Sequence, residues 1–304
     1  MDDELNGWAP ALEQIARRKS EARSMGGEAR LDRQRQRGRL NARERLAAFF
    51  DSDTFFEIGN LVGTTQKPPV PGDALVAGFG RVNGRSALAG AEDVTVLGGS
   101  IGSGASDKRY RLCQLALQER VPLVMMLEGA GHRVTESAVG RRPGDLMGLV
   151  ELSGRVPMVC LVLGASAGHG ALTAPLCDFV VMTETASIFA AGPPLVKSAT
   201  GEDVTKEALG GPDVAVESGG SCTTWCPPTA TRFASPVGTS PTFPSTRGNN
   251  HRLVMVRTLD DDRSTFSSSS PPIPAVRIPS GPCSSGSSTT ARCSTCNPIS
   301  VVRS

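Results

Sequence analysis

The chain has no apolar stretch approaching the roughly 20 residues that a membrane-spanning helix needs. Nothing at its start reads as a secretory leader, because Met1-Asp2-Asp3-Glu4 is acidic and no apolar run follows. A cytoplasmic protein with no membrane partner is expected. An excess of one charge is lacking too: 32 Lys and Arg against 30 Asp and Glu leave a formal net charge of +2, which gives no reason to expect a nucleic acid as partner. The one basic run, Arg30–Arg45, is interleaved with Asp, Glu, Gln and Leu and reads as a solvated helical face. Histidine is rare, with three in 304 residues, and that scarcity limits which hydrolase mechanisms are open.

What is present changes texture near Gly219–Ser221. From Ser221 onward, Ser, Thr and Pro make up 40 of 84 residues, a composition that cannot bury enough apolar surface to offset its ordering entropy. The sequence therefore divides into an N-terminal helical segment (1–60), a main domain (61–220), and a tail (221–304) expected to be irregular and to pack little against the rest. Five of the eight cysteines lie in that tail. Cys222/Cys226 and Cys293/Cys296 have the spacing of two zinc half-sites, but the stretch between the pairs is too long for a compact ribbon and lacks strand periodicity. No metal is expected. Cys113, Cys160 and Cys177 lie in apolar or helical surroundings and read as buried thiols.

In the helical segment, Leu12, Ile15 and Ala16 share one face, and Gly26-Gly27 interrupts the run. A further helix starts after Asn41, with Glu44 placed to complete a capping box and Leu46 and Phe49/Phe50 facing inward. Strands are expected at Ala74–Gly80, Ser86–Gly90 and Val94–Leu97, with a hairpin turn at Asn83-Gly84. A helix follows over Ser106–Arg120, then a strand at Pro122–Leu127 that is apolar throughout and so covered on both faces. Glu128–Ser137 reads as a Gly-rich loop and Gly144–Gly154 as a helix. The cycle repeats with strand Met158–Leu163, turn Gly164–Gly168, short helix His169–Pro175 and strand Asp178–Met182. This alternation predicts an α/β fold with a mostly parallel sheet.

Two Gly-rich turns follow buried strands: Glu128-Gly-Ala-Gly-His-Arg133 and Gly164-Ala-Ser-Ala-Gly-His-Gly170. Small residues admit close backbone approach, and free amides at a helix start suit an oxyanion. The same glycines also serve simply to turn a chain into a helix. The second turn contains Gly164-x-Ser166-x-Gly168, the pattern of a nucleophile elbow. A triad would need a base after Ser166, and only His169 and His251 follow it, so Ser166 is not expected to be a nucleophile. Gly98–Gly104 is glycine-rich without the dinucleotide spacing; a phosphate-contacting loop stays open there, with Lys108 one turn into the next helix.

Several motifs in order resemble one family. Gly38-Arg-Leu-Asn-Ala-Arg-Glu-Arg-Leu46 resembles the entry motif of the carboxyltransferase β-type subunits of biotin-dependent acyl-CoA carboxylases. Leu97-Gly-Gly-Ser-Ile-Gly102 resembles their glycine loop. Glu128–Arg133 resembles their Asp-Gly-Ala-Gly-Ala-Arg motif, with Glu128 and His132 as departures. Gly164–Gly170, Asp178-Phe179, Gly192-Pro193, Gly201–Thr205 and Leu209-Gly-Gly211 are similarly placed. The resemblance covers about residues 12–220 and implies a crotonase-like ββα spiral. It also implies transfer of a carboxyl group from carboxybiotin to the α-carbon of an acyl-CoA. By the same resemblance, the amides of Ala130 and Gly131 would receive the thioester oxygen and Gly168 and His169 would form the facing part of the pocket. Gly98, Gly99, Ser100, Lys108, Gly129 and Arg133 would contact the acyl-CoA. The implied cofactor is biotin on a carrier, and the implied partners are a biotin carboxylase/biotin carrier subunit and further copies of the subunit. A carboxyl-CoA decarboxylase subunit, or a non-catalytic remnant that only associates with intact subunits, fits the same half-domain.

In the family a second, homologous domain binds biotin. The sequence after Gly220 does not resemble it. Read one nucleotide back from Ser221, the permitted codons allow Val-Val-His-Asn-Val-Val-Pro-Ala-Asp, and farther on Arg-Arg-Tyr-Leu-Ser-Tyr-Phe-Pro where the chain has Val237–Pro244. The tail is expected to be an out-of-frame translation, and the chain to be truncated and inactive alone.

Overall fold

The computed structural model describes residues 2–64, 69–136, 144–215 and 224–226. The N-terminal segment forms three helices: α1 (Asp2–Arg23), α2 (Glu28–Gln36) and α3 (Ala42–Phe49). The face that carries Leu12 and Ile15 is uncovered; they are 56% and 40% exposed, and Trp8 is 66% exposed. The end of α1 reaches the core through Ala22 and, just beyond it, Met25. Gly26 makes that approach possible, because a Cβ there would lie 2.0 Å from the Thr95 carbonyl oxygen. The cap of α3 forms as its residues dictate. The Asn41 side chain accepts from the amides of Arg43 and Glu44, each at 3.0 Å, and Glu44 Oε2 accepts from the Asn41 amide at 2.8 Å. Leu46 and Phe50 are buried beneath it, and Phe49 is half-buried.

Eight strands among the described residues form one sheet: β1 (Phe56–Ile58), β2 (Leu75–Val82), β3 (Arg85–Glu92), β4 (Leu123–Gly129), β5 (Met158–Ala167), β6 (Phe179–Thr183), β7 (Ser187–Phe189) and β8 (Thr224–Cys226). The order is β1-β2-β3-β4-β5-β6-β8, with β7 also pairing β5; β1–β3 are antiparallel and the other pairs parallel. The β2–β3 hairpin turns at Asn83-Gly84, where φ is +50° and +74°, the left-handed pair that a tight two-residue turn requires. The strand expected at Val94–Leu97 is absent. Asp93 accepts from the Thr95 amide and hydroxyl, holding a turn that leads into a 3-10 segment at Leu97–Gly99.

Helix α4 (Ser103–Glu119) crosses from β3 to β4, and α5 (Asp145–Leu152) lies between β4 and β5 in sequence. Strand β4 is buried at every residue because both faces are covered. Leu123, Met125 and Leu127 enter the core under α4 and α5, while Val124 and Met126 enter the second core under α3. Each such side chain contributes about 1.5–3 kcal/mol by leaving water. Strand β5 runs past its expected end through Gly164 to Ala167, because β7 supplies a partner: Ala165, Ser166 and Ala167 pair Ser187, Ile188 and Phe189. The short helix expected at His169–Pro175 is α6 (Gly168–Ala171), whereas the sequence reading missed β1, β7 and the short helices α7 (Pro193–Thr200) and α8 (Lys206–Gly210) as regular elements. Three residues of the segment expected to stay off the core, Thr224–Cys226, pair parallel with β6; the rest of the tail lies outside the described residues.

Candidate active site

The two Gly-rich turns meet. Gly131 has φ +82°, and a Cβ there would sit 2.5 Å from the Ala167 carbonyl oxygen and 3.4 Å from Gly168 Cα. Two separate constraints thus demand glycine at this position, conformation and space. Gly168 has φ +53° and opens α6, whose first amides lack intrahelical partners as at any helix start. The rings of His132 and His169 flank this contact with centroids 6.1 Å apart.

The Leu97–Ile101 loop is laid along the first turn by three backbone bonds: Ala130 N–H to Gly98 O (3.0 Å), Ile101 N–H to Gly131 O (2.7 Å) and Arg133 N–H to Ile101 O (2.9 Å). Gly99 fits because nothing larger could lie 2.5 Å from the Glu128 carbonyl oxygen. Gly98, Gly99, Gly129, Ala130, Gly131, Gly168 and His169 therefore share one region, as the motifs suggested. One expected donor is corrected. The Ala130 amide is spent on Gly98, whereas the Gly131 amide has no acceptor among the described residues.

Lys108 and Arg133, expected at the substrate, point into the protein instead. Lys108 is 3% exposed and donates through Nζ to the carbonyls of Gly72 and Leu75. Burial, partly countered by Asp73, holds its pKa down to about 8. Arg133 is 4% exposed and pairs with Asp73 (2.6 Å) and Glu136 (2.7 Å), while its other N–H groups reach Ser100 Oγ (3.0 Å) and O (2.6 Å). Ser100 is thereby drawn into the same internal network. Ser166 is wholly buried in β5 opposite Gly129 and Ile188, on an extended strand and not at a strained elbow; its hydroxyl has no partner among the described residues.

Beneath the turns lies a charged network that no sequence motif announced. His169 Nε2 lies 2.9 Å from Asp145 Oδ1, and Asp145 Oδ2 accepts from Arg109 Nε at 2.6 Å. Arg109 also donates to Glu92 (3.2 Å) and to the Thr173 hydroxyl. Burial pushes the Asp145 carboxyl up, but the bonds from His169 and Arg109 outweigh it and hold the carboxyl well below the usual range. Glu92 goes the other way: burial raises it more than Arg109 and the Glu128 amide lower it. Glu128 itself is buried between Arg39 (3.0 Å) and Arg45. The only sequence signals for these partners were acidic and basic residues at positions otherwise apolar.

One mostly parallel sheet, with two glycine turns apposed at its strand ends, makes this an α/β fold, and its structural neighbours are carboxyltransferases of the crotonase-like class. The chain belongs to the carboxyl transferase domain family, whose profile matches residues 33–261 and so runs past Gly220. It is 36% identical over 217 residues to the biotin-dependent acetyl-/propionyl-coenzyme A carboxylase beta5 subunit of Mycobacterium leprae, covering 68% of this chain and 39% of that protein. It is 33% identical over 209 residues to the methylmalonyl-CoA decarboxylase subunit alpha of Veillonella parvula, covering 66% and 41%. A crystal structure of transcarboxylase 12S, described as a hexamer with hydrolysed methylmalonyl-coenzyme A bound, superposes with TM-score 0.65 at 33% identity over 71% of this chain and 44% of that one. The chain thus spans about two fifths of the curated relatives it matches.

Proposed function

We propose that residues 69–215 carry the acyl-CoA half of a carboxyltransferase site, which acts with a carboxybiotin held by a partner carrier to carboxylate the α-carbon of a short acyl-CoA. The carrying observation is the apposition of Gly131 and Gly168, where the Gly131 amide has no acceptor among the described residues and α6 begins with amides that lack intrahelical partners. Fixed N–H dipoles at such a place stabilise negative charge on a thioester oxygen as an enolate forms, without reorganisation of solvent. The Asp145–His169 contact fixes the histidine side chain, so that its backbone keeps the start of α6 in place. The carboxyl donor would supply the activated CO2; by the family resemblance it is held in a second domain, and none of the described residues is assigned to it. We infer accordingly that this chain binds acyl-CoA and turns over only when a donor-binding subunit is supplied.

The test mixes the full chain with acetyl- or propionyl-CoA and a carboxylated biotin carrier, with and without an intact carboxyltransferase subunit, and measures malonyl or methylmalonyl product. Binding of acyl-CoA that is lost in Gly131→Ala supports the site; product from the chain and carrier alone would show the donor half to be present. The 33% identity to a decarboxylase subunit favours a second reading, release of CO2 from methylmalonyl-CoA to a biotin carrier, which the same assay run from the product side decides.

A further inference from the structure

The charged network beneath the turns ends at a group to which the proposed function gives no task, the second ring nitrogen of His169. Nε2 of that ring lies 2.9 and 3.0 Å from the two carboxylate oxygens of Asp145. Asp145 is held ionised well below the usual carboxyl range, and a carboxylate has no hydrogen to give. The hydrogen in this contact therefore belongs to Nε2. In the neutral ring that leaves the lone pair on Nδ1, which has no partner among the described residues. Burial of Asp145 does not depend on the histidine, because its oxygens already accept from Arg109 Nε at 2.6 Å and Ser106 Oγ at 3.1 Å. The ring is also not sealed in: the His169 side chain keeps 23% of its surface open, whereas that of Asp145 keeps 2%. His169 follows Gly168 directly, so it stands at the contact of the two glycine turns.

We propose that His169 Nδ1 carries protons to and from the α-carbon of the acyl-CoA, so that the chain exchanges the substrate's α-hydrogens with water in the absence of any carboxyl donor. The inference rests on the acyl-CoA reading above and adds an activity to it. In the outward step the Nδ1 lone pair takes the α-proton. The C–H bond breaks, its electron pair becomes the C=C bond of the enolate, and the carbonyl π pair moves onto the thioester oxygen, at the Gly131 amide. In the return step Nδ1–H, exchanged with water, gives a proton to the same carbon and the carbonyl re-forms. Water is the only co-reactant. Asp145 acts through the histidine: a carboxylate on one imidazole nitrogen fixes the tautomer and stabilises the imidazolium that forms on the other. The rival base is His132, on the first turn, with its ring centroid 6.1 Å from that of His169. His132 is exposed and pairs with no acid among the described residues, so nothing there fixes its tautomer. The geometry selects His169.

The test incubates the full chain with propionyl-CoA in deuterated water, with no biotin carrier, and follows α-deuterium by mass spectrometry. Wild type should incorporate deuterium well above the rate without protein. His169→Gln should slow incorporation by about a hundredfold to ten-thousandfold, the scale of a positioned general base. That variant separates chemistry from structure, since the glutamine amide still offers Asp145 an N–H but has no nitrogen that takes up a proton. Circular dichroism verifies that it folds. Incorporation that survives in His169→Gln, or that falls in His132→Gln instead, would overturn the assignment. Wild type that binds propionyl-CoA by calorimetry, with binding lost in Gly131→Ala, but incorporates no deuterium would overturn it too and leave the proposed function standing. Absence of propionyl-CoA binding in wild type would remove the acyl-CoA reading and this inference with it.

Discussion

The protein places cations in two contrasting settings. Arg133 and Lys108 lie inside, with every donor that is described committed to a carboxylate, a hydroxyl or a backbone carbonyl. Arg30, Arg33 and Arg37 lie outside with no acid to meet them among the described residues. Cations of the first kind hold the structure and cannot turn to a ligand without leaving buried acceptors unpaired. Cations of the second kind contribute little to folding and are free to bind. Position in a motif does not tell the two apart.

The comparison breaks most visibly at Arg133. Arg133→Met strands Asp73 and Glu136, both nearly fully buried, and removes the donors to Ser100. Deleting one partner of a buried pair destabilises by about 3–5 kcal/mol. Urea denaturation should show this as a lower midpoint with the slope unchanged. A loss below about 1 kcal/mol, the range of exposed pairs, would place Arg133 with the surface arginines.

Lys108→Met should cost about 1–3 kcal/mol, because the carbonyls of Gly72 and Leu75 lose their donor. Its pH dependence sharpens the contrast. The folded pKa, about 8, lies below the unfolded value of about 10.4, so between them the unfolded chain binds more protons and stability rises with pH. The deficit of Lys108→Met against wild type should therefore be larger near the top of that window than at neutral pH. A deficit that is flat with pH would mean that Lys108 titrates as an exposed lysine does.

The same contrast explains what could be read in the sequence. Local signals were sufficient where the residues dictate their own geometry: the Asn41/Glu44 capping box, the Asn83-Gly84 turn and the doubly covered β4 are all as expected. That the two glycine turns face each other was implied by the family resemblance, but the commitment of the Ala130 amide to Gly98 was not, because that bond joins residues distant in sequence. The basic run Arg30–Arg45 read as one solvated face and is two things. Its first part, with Arg30, Arg33 and Arg37, is exposed, while Arg43 pairs Glu57 and Arg45 is buried on Glu128. Which charge finds a partner depends on tertiary neighbours as remote as Glu128, and periodicity carries no record of them. The apolar face of α1 misled for the converse reason: spacing specifies a stripe, not something to cover it.

Asn41→Ala is an intermediate case. It removes an acceptor for two amides at the start of α3 and should cost about 1 kcal/mol, read as a small fall in the thermal midpoint. Because α3 covers the second core through Leu46, the loss should appear in global unfolding and not as local fraying of the helix alone. Hydrogen exchange confined to the α3 amides, with the midpoint unchanged, would show that this helix is not coupled to the sheet.

The smallest effect on stability is expected at the surface arginines. Arg33 and Arg37 stand four positions apart on one helical row, a like-charge spacing worth a few tenths of a kcal/mol against the helix. Neither has an acid to offset the repulsion among the described residues, so Arg33→Gln should leave stability unchanged or raise it slightly, within about 0.5 kcal/mol. Added salt should narrow the difference in stability between wild type and the variant, since exposed charges are the ones that counterions screen. For Arg133→Met the order reverses, with a large loss of stability that added salt should leave largely in place, because the pairs it breaks are buried. An Arg33→Gln variant that unfolds the protein, or a stability loss above about 1 kcal/mol, would mean that the surface arginines belong with the structural set after all.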